Sequence, residues 1–348
     1  MLLTGTLEHA HFKAWEREAR VCITHASKGT LVFVVGPSGA GKSTLRSHLE
    51  GTSYRSDADP SKNQIPLVSV LATNSESGYF SSKDFYSRML GQLGDPFRRE
   101  GTLAGSPQAK QMTPEQLDFL GEPFWDSIRV SMTETKIRRA FECLAQAVHL
   151  QAIFVDEAQS MCLTHVNRSP SDHLESLKIL AERLGIIIFL FGTYDLLEIW
   201  NHSAQLNRRS HLIHLQRYDT DLDADRAAFY SVLRMYSKAI GFEEPVTLSK
   251  HAETVLAWTF GVFGEVEKLF ERARFTALAQ GRDGLRWQDI EEAKYTPIQT
   301  ERLKHEIETG EARVKGELPK PAKAAPTKRG SKHPGRRNPV RDPCGPQP

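Results

Sequence analysis

Cysteine is scarce in this chain: four residues in 348, Cys22, Cys143, Cys162 and Cys344, far apart along the sequence. Such spacing gives neither a disulfide framework nor paired metal knuckles. The one Cys-x-x-His step, Cys162 to His165, has no second pair to complete a zinc site. Long apolar runs are missing too; none approaches the ~20 residues that span a bilayer. The first residues reach Glu8 without a basic segment followed by an apolar one, so the expectation is a cytoplasmic protein with no signal peptide and no membrane contact. An excess of either charge is also lacking: 45 Lys and Arg face 43 Asp and Glu, for a net charge of +2. Nucleic-acid binding would then have to come from local patches. Asp219, Asp221, Asp223 and Asp225 alternate as in a calcium loop, but Ala224 stands where the turn needs Gly and Tyr230 where Glu should close it. They read as helix caps. No Asp/Glu/His spacing of a nuclease or transposase site is identifiable, so the chain is not expected to cut or join DNA itself.

What the sequence does hold is a complete phosphate-binding loop. The apolar, β-branched run Leu31 to Val35 leads into Gly36-Pro37-Ser38-Gly39-Ala40-Gly41-Lys42-Ser43-Thr44, and a helix-like segment follows. Strand, Gly-rich turn and helix start are the context this motif requires. The glycines allow a tight turn whose N–H groups face phosphate oxygens. Lys42 can reach the β- and γ-phosphates of ATP, and the Ser43 hydroxyl can ligate Mg2+. Upstream, Glu8 to Thr24 has helical spacing (Phe12, Trp15, Ala19, Cys22). Its aromatic face suits packing, and Phe12 or Trp15 also lies where a base could be touched.

A second element completes the site. Ala152-Ile153-Phe154-Val155-Asp156-Glu157 reads as a buried strand ending in two carboxylates, the Walker B pattern. Asp156 would hold Mg2+ opposite Ser43, and Glu157 would act as general base on the attacking water. The all-apolar run Ile186 to Phe191 is a strand of a parallel sheet covered on both faces. It stops at Gly192-Thr193, where Thr193 is placed to sense the γ-phosphate, to cap the next helix, or to do both. Arg208 and Arg209 precede the last strand, Leu212 to Leu215. One of them is placed to serve a neighbouring subunit as an arginine finger, or both form a solvated pair.

The remaining organisation is coarser. Ile65 to Leu71 is a strand, and Ser81 to Leu93 and Thr133 to Leu150 are helices. Residues 97–124 read as an insertion. The expected domains are an α/β nucleotide-binding core at 1–218, an all-α lid at 219–295, and a flexible, basic, Pro-rich tail at 296–348 too poor in apolar residues to fold.

Taken together, residues 8–295 resemble the AAA+ ATPases, and more closely the transposition regulators of the TniB/TnsC type. The resemblance is carried by Gly36 to Thr44, Ile153 to Gln159, Gly192-Thr193, Gln205-Leu206-Asn207-Arg208-Arg209 and Gly264-Glu265-Val266. It implies a P-loop core with a parallel five-stranded sheet sandwiched by helices, and a small helical lid. It also implies ATP hydrolysis completed between subunits of a ring or helical filament around duplex DNA. The partners it implies are a transposase and a target-selection protein such as a TniQ-type adaptor. One departure is visible: Glu267, followed by Lys268, stands where many such lids place a sensor arginine. DNA contacts are expected from Lys136, Arg138 and Arg139, backed by Lys83 and Arg88, to phosphates rather than bases. A replication loader or initiator, and a scaffold NTPase that does not bind DNA, are the competing functions.

Overall fold

The computed structural model describes residues 9–54, 64–75, 78–93, 132–164, 169–202, 210–240, 242 and 248–317. The 97–124 insertion, His165, Arg208, Arg209 and the chain beyond 317 lie outside the described residues.

Five strands form one parallel sheet: β1 (Leu31–Val35), β2 (Leu67–Leu71), β3 (Ala152–Asp156), β4 (Ile187–Gly192) and β5 (Ser210–His214), in the spatial order β2-β3-β4-β1-β5. Every pairing is parallel. The central strands β1, β3 and β4 are buried at every position. That is why their sequences are apolar without alternation: both faces are covered. Successive side chains still go to opposite layers. Leu31, Phe33 and Val35 join one core cluster; Val32 and Val34 join another.

The second of these layers is built by α1 (Ala10–His25) and α2 (Lys42–Leu49), through Phe12, Trp15, Ala19, Leu45 and Leu49. The first is built by α3 (Ser82–Gln92), α4 (Glu134–Ala147), α5 (Pro170–Leu184) and α6 (Leu196–His202). Local signals set the helix ends. α5, for example, starts at a Ser169/Asp172 capping box with Pro170 in its first turn and stops at Gly185 in the left-handed region.

Beyond β5 the chain becomes helical: α7 (Asp223–Ala239), α8 (Ala252–Thr259), α9 (Phe263–Ala279) and α10 (Trp287–Glu292). They enclose a third cluster that includes Tyr218, Phe229, Leu233, Tyr236, Leu256 and Phe270. The aspartates before α7 do not cap it with their side chains, since Leu222 occupies the cap position. Asp225 accepts instead from the Asp219 N–H, and Asp219 from the Asp221 N–H.

Order does not fade at residue 296, contrary to the expectation of a flexible tail from there. Thr296 and Gln299 form a capping box, Pro297 opens the first turn, and α11 (Pro297–Lys315) runs for 19 residues. It returns from the lid to the core. Ile307 is buried, and Gly310 lies so close to the Tyr194 ring that a Cβ would meet it at 2.0 Å. Glu311 takes both an Nε and an Nη bond from Arg217, at 2.9 and 3.3 Å, and Arg313 pairs with Glu198 at 3.2 Å. Among the described residues, no helix is long and apolar enough to cross a membrane.

Candidate active site

The loop between β1 and α2 sits at the carboxyl end of a central strand, where ligands of open α/β sheets bind. Gly39 and Gly41 hold φ of +80° and +96°, conformations that exclude ordinary side chains. They turn the chain back so that α2 begins at Lys42 with its first N–H groups facing outward. Lys42 is buried; its Nζ donates to the carbonyls of Gly36 at 3.0 Å and Pro37 at 2.8 Å. Burial lowers its pKa from 10.5 to about 8, against the pull of the Glu157 and Asp156 carboxylates.

β3 delivers those two carboxylates. Asp156 is buried. Its Oδ1 accepts from the Glu157 N–H at 3.0 Å and its Oδ2 from Arg46 Nε at 3.1 Å. Glu157 adopts φ of +51°, a left-handed backbone rare outside glycine, and this turns its side chain off the strand end into the cleft. Its carboxylate accepts from Gln159 Nε2. The other end of that amide, Oε1, accepts from the Thr193 N–H at 3.1 Å. The Thr193 hydroxyl donates to Asp195 Oδ2 at 3.2 Å.

Lys42, Glu157 and Thr193 border one cleft of about 630 Å³. Ser38 to Thr44 form its floor, and Glu157 and Thr193 one wall. The first turn of α9 supplies the other wall through Phe263, Gly264, Glu267 and Lys268. His9, Phe12 and Tyr236 line an apolar end, and Glu271 also borders the cleft. The lid rests directly on the loop: the Gly264 N–H donates to Gly39 O at 2.8 Å. Phe12 is therefore available to a base, whereas Trp15 shares a separate small cavity with Pro37 and Ala40. The volume and the division into an apolar end and a phosphate floor suit a nucleoside triphosphate.

The donor set also fits a divalent cation. Ser43 is exposed in the cleft floor, and Asp156, at the end of β3, is buried and does not itself border the cleft, its Oδ2 held by Arg46. Bound there, Mg2+ would neutralise phosphate charge.

The family and fold comparisons agree with this geometry. The AAA domain profile matches residues 24–200, just over half of the chain. This chain belongs to the AAA domain family. The AAA fold is also what it shares with solved structures of low sequence identity. The Aeropyrum pernix ORC2 protein, in its ADP form, is 16% identical with a TM-score of 0.53, covering 84% of this chain and 69% of that one. Cdc6p from Pyrobaculum aerophilum is 12% identical with a TM-score of 0.54, over 83% and 68%. The Aeropyrum pernix ORC1 protein, solved in complex with DNA, is 12% identical with a TM-score of 0.51, over 84% and 67%. No curated protein matches the sequence.

Of the expected site residues, the AAA core brings Ser38 to Thr44, Glu157 and Thr193 to the cleft itself. Gly36 and Pro37 act one layer back, through the carbonyls that hold Lys42. The five basic residues expected at DNA lie on the adjoining helices α3 and α4 and do not border the cleft. Lys136 and Arg139 are exposed. Arg138 is engaged internally, with Glu142 at 2.9 Å, Ser176 at 2.8 Å and the Tyr86 ring 5.6 Å away. Arg88 pairs with Asp84 at 2.9 Å, and Lys83 is half-buried. Two residues of the site were not foreseen. Arg46 follows Lys42 by four, one turn along the same face. Gln159 closes the Asp-Glu-Ala-Gln run, which marked the family but suggested no role.

Proposed function

We propose that this chain is an ATP-hydrolysing AAA switch that assembles on duplex DNA, with the nucleotide at the seam between neighbouring copies. The observation that carries the reading is the convergence of Lys42, Glu157 and Thr193 on one cleft whose far wall is the lid. Lys42 would hold the β- and γ-phosphates, Ser43 and Asp156 the Mg2+ ion, and Glu157 would take the proton of the attacking water. Because α9 touches the loop, loss of the γ-phosphate would be felt by the lid. Arg208 or Arg209 would complete the site from the next subunit of a ring or filament.

Lys136 and Arg139 are the exposed cations best placed for duplex phosphates. Arg138, held by Glu142 and Ser176, would serve to stiffen that surface. The TniB/TnsC-type motifs favour regulation of transposition, with the assembly passing a target site chosen by a TniQ-type adaptor to a transposase. The likeness in fold to Orc and Cdc6 proteins supports a second reading, a replication initiator or loader.

The test is ATP turnover with and without duplex DNA, together with electron microscopy of the DNA complex in a slowly hydrolysed ATP analogue. Glu157→Gln is expected to bind ATP, turn over at least 100-fold more slowly, and remain assembled on DNA. A wild-type protein that stays monomeric with nucleotide and duplex in excess would end the proposal. Stimulation of strand transfer by an added transposase, against loading of a replicative helicase, separates the two readings.

A further inference from the structure

We infer that Gln159 is a positioning residue that ties the general base to the γ-phosphate sensor. The inference rests on the ATPase reading above and deepens it.

Gln159 lies two residues past Glu157 and is half-buried beside β4. Its two amide atoms do different work. Nε2 donates to the Glu157 carboxylate, and Oε1 accepts from the backbone N–H of Thr193 at 3.1 Å. One planar group thus spans the ends of two adjacent strands, β3 and β4, paired from Ala152↔Ile187 to Val155↔Leu190. Space for it is set by Gly192. A Cβ there would lie 2.6 Å from Gln159 Oε1 and 2.5 Å from Leu196. Gly192 does not need a positive φ; the amide needs the room.

The bridge has a mechanical consequence. Glu157 is exposed and sits at a left-handed backbone position, so little else fixes its carboxylate. In hydrolysis, the water oxygen bonds the γ-phosphorus while the bridging P–O bond to ADP breaks, and the water proton passes to Glu157. That transfer requires the carboxylate at hydrogen-bond distance from the water. Gln159 fixes one of its oxygens, and does so from an anchor on the backbone of Thr193, a residue that borders the same cleft. A shift of Thr193 on phosphate release would pull the amide, and with it the base.

Three substitutions test the bridge, and one of them, Gln159→Glu, separates its two bonds. Gln159→Leu keeps the bulk and loses both. Gln159→Glu keeps the acceptor for Thr193 N–H but cannot donate to Glu157. Gln159→Ala removes the side chain. In full-length protein with duplex DNA present, kcat is expected to fall about 10- to 100-fold in all three, the range that misplacement of a reacting group by about 1 Å produces. Binding of a fluorescent ATP analogue is expected to stay within threefold of wild type, which also shows that the variants fold. If Gln159 acts through Glu157, Gln159→Leu added to Glu157→Gln leaves the single-turnover rate unchanged. Turnover of Gln159→Leu within threefold of wild type would overturn the inference. So would an equal loss of nucleotide affinity, or a full additional loss in the Glu157→Gln background. A wild-type protein with no turnover at all would sink the ATPase reading and this inference with it.

Discussion

Gly264→Ala adds one methyl group where the lid meets the phosphate loop. In an ordinary helix, that change stabilises by about 0.5–1 kcal/mol, because alanine loses less backbone freedom on folding. Here the added carbon would lie 2.5 Å from Gly39 O and 2.8 Å from Gly39 Cα. Both atoms are backbone, so either the loop or α9 has to move. Overpacking of this kind costs about 1–3 kcal/mol. The Gly264 N–H bond to Gly39 O would be lengthened or lost, at about 0.5–1.5 kcal/mol. Contact therefore outweighs propensity, leaving a net loss of about 1–3 kcal/mol. At about 2–4 °C per kcal/mol for a domain of 150–250 residues, Tm should fall by about 2–12 °C. Nucleotide affinity should fall about two- to tenfold if half of that strain is taken up by the loop, since about 1.4 kcal/mol is a factor of ten. Thermal melting and titration with a fluorescent ATP analogue read the two effects. Gly51→Ala is the control: a Cβ there meets nothing within 4 Å, and no positive φ is required. Gly264→Ala melting at or above the wild-type temperature, with wild-type affinity, would refute the contact argument.

Three further outcomes follow from the same geometry. Lys42, held down to about 8 chiefly by burial, is charged below that pH and loses charge above it; ATP affinity should be full at pH 7 and decline by pH 9, and a flat titration between them would contradict the assignment. His9, buried, and His214, half-buried, are both held, mainly by desolvation, at about 4 instead of 6.5. The unfolded chain takes up protons between those values that the folded chain refuses, so stability should be intact above about pH 6.5 and fall as pH drops toward 4; a urea midpoint unmoved between pH 7 and 5 would count against it. Arg46→Met removes the partner shared by Asp156, Glu50 and Ser69. Because Arg46 keeps 22% exposure, the loss should be about 1–3 kcal/mol, below the 3–5 of a fully buried pair, and chemical denaturation would show it.

The parts of the fold that were legible in sequence are those written in contiguous residues. β1, β3 and β4 are unbroken apolar runs because both faces of a parallel sheet are covered, and Lys42, Asp156 and Glu157 stand at fixed offsets from those runs. Gln159 and Arg46 were not legible in the same way. Their partners are 34 and 110 residues away, and no local periodicity marks such a pairing. Thr193 was readable as a sensor or a cap; in the structure its hydroxyl donates to Asp195 while its backbone N–H meets Gln159. The helix α11 was missed because its anchorage is sparse. Only Ile307 and Gly310 are buried, so the apolar stripe that announces a packed helix is missing, and ion pairs to Arg217 and Glu198 take its place.

That same helix changes how the lid can move. A chain that leaves the sheet at β5, builds the four-helix cap and then comes back is moored at two piers, not hung from a single hinge. Any swing of α9 away from the loop must stretch the link to α11 or break its grip at Glu311 and Arg313. The described end of α11 is held beside α6 through Arg313 and Glu198, at the body of the molecule.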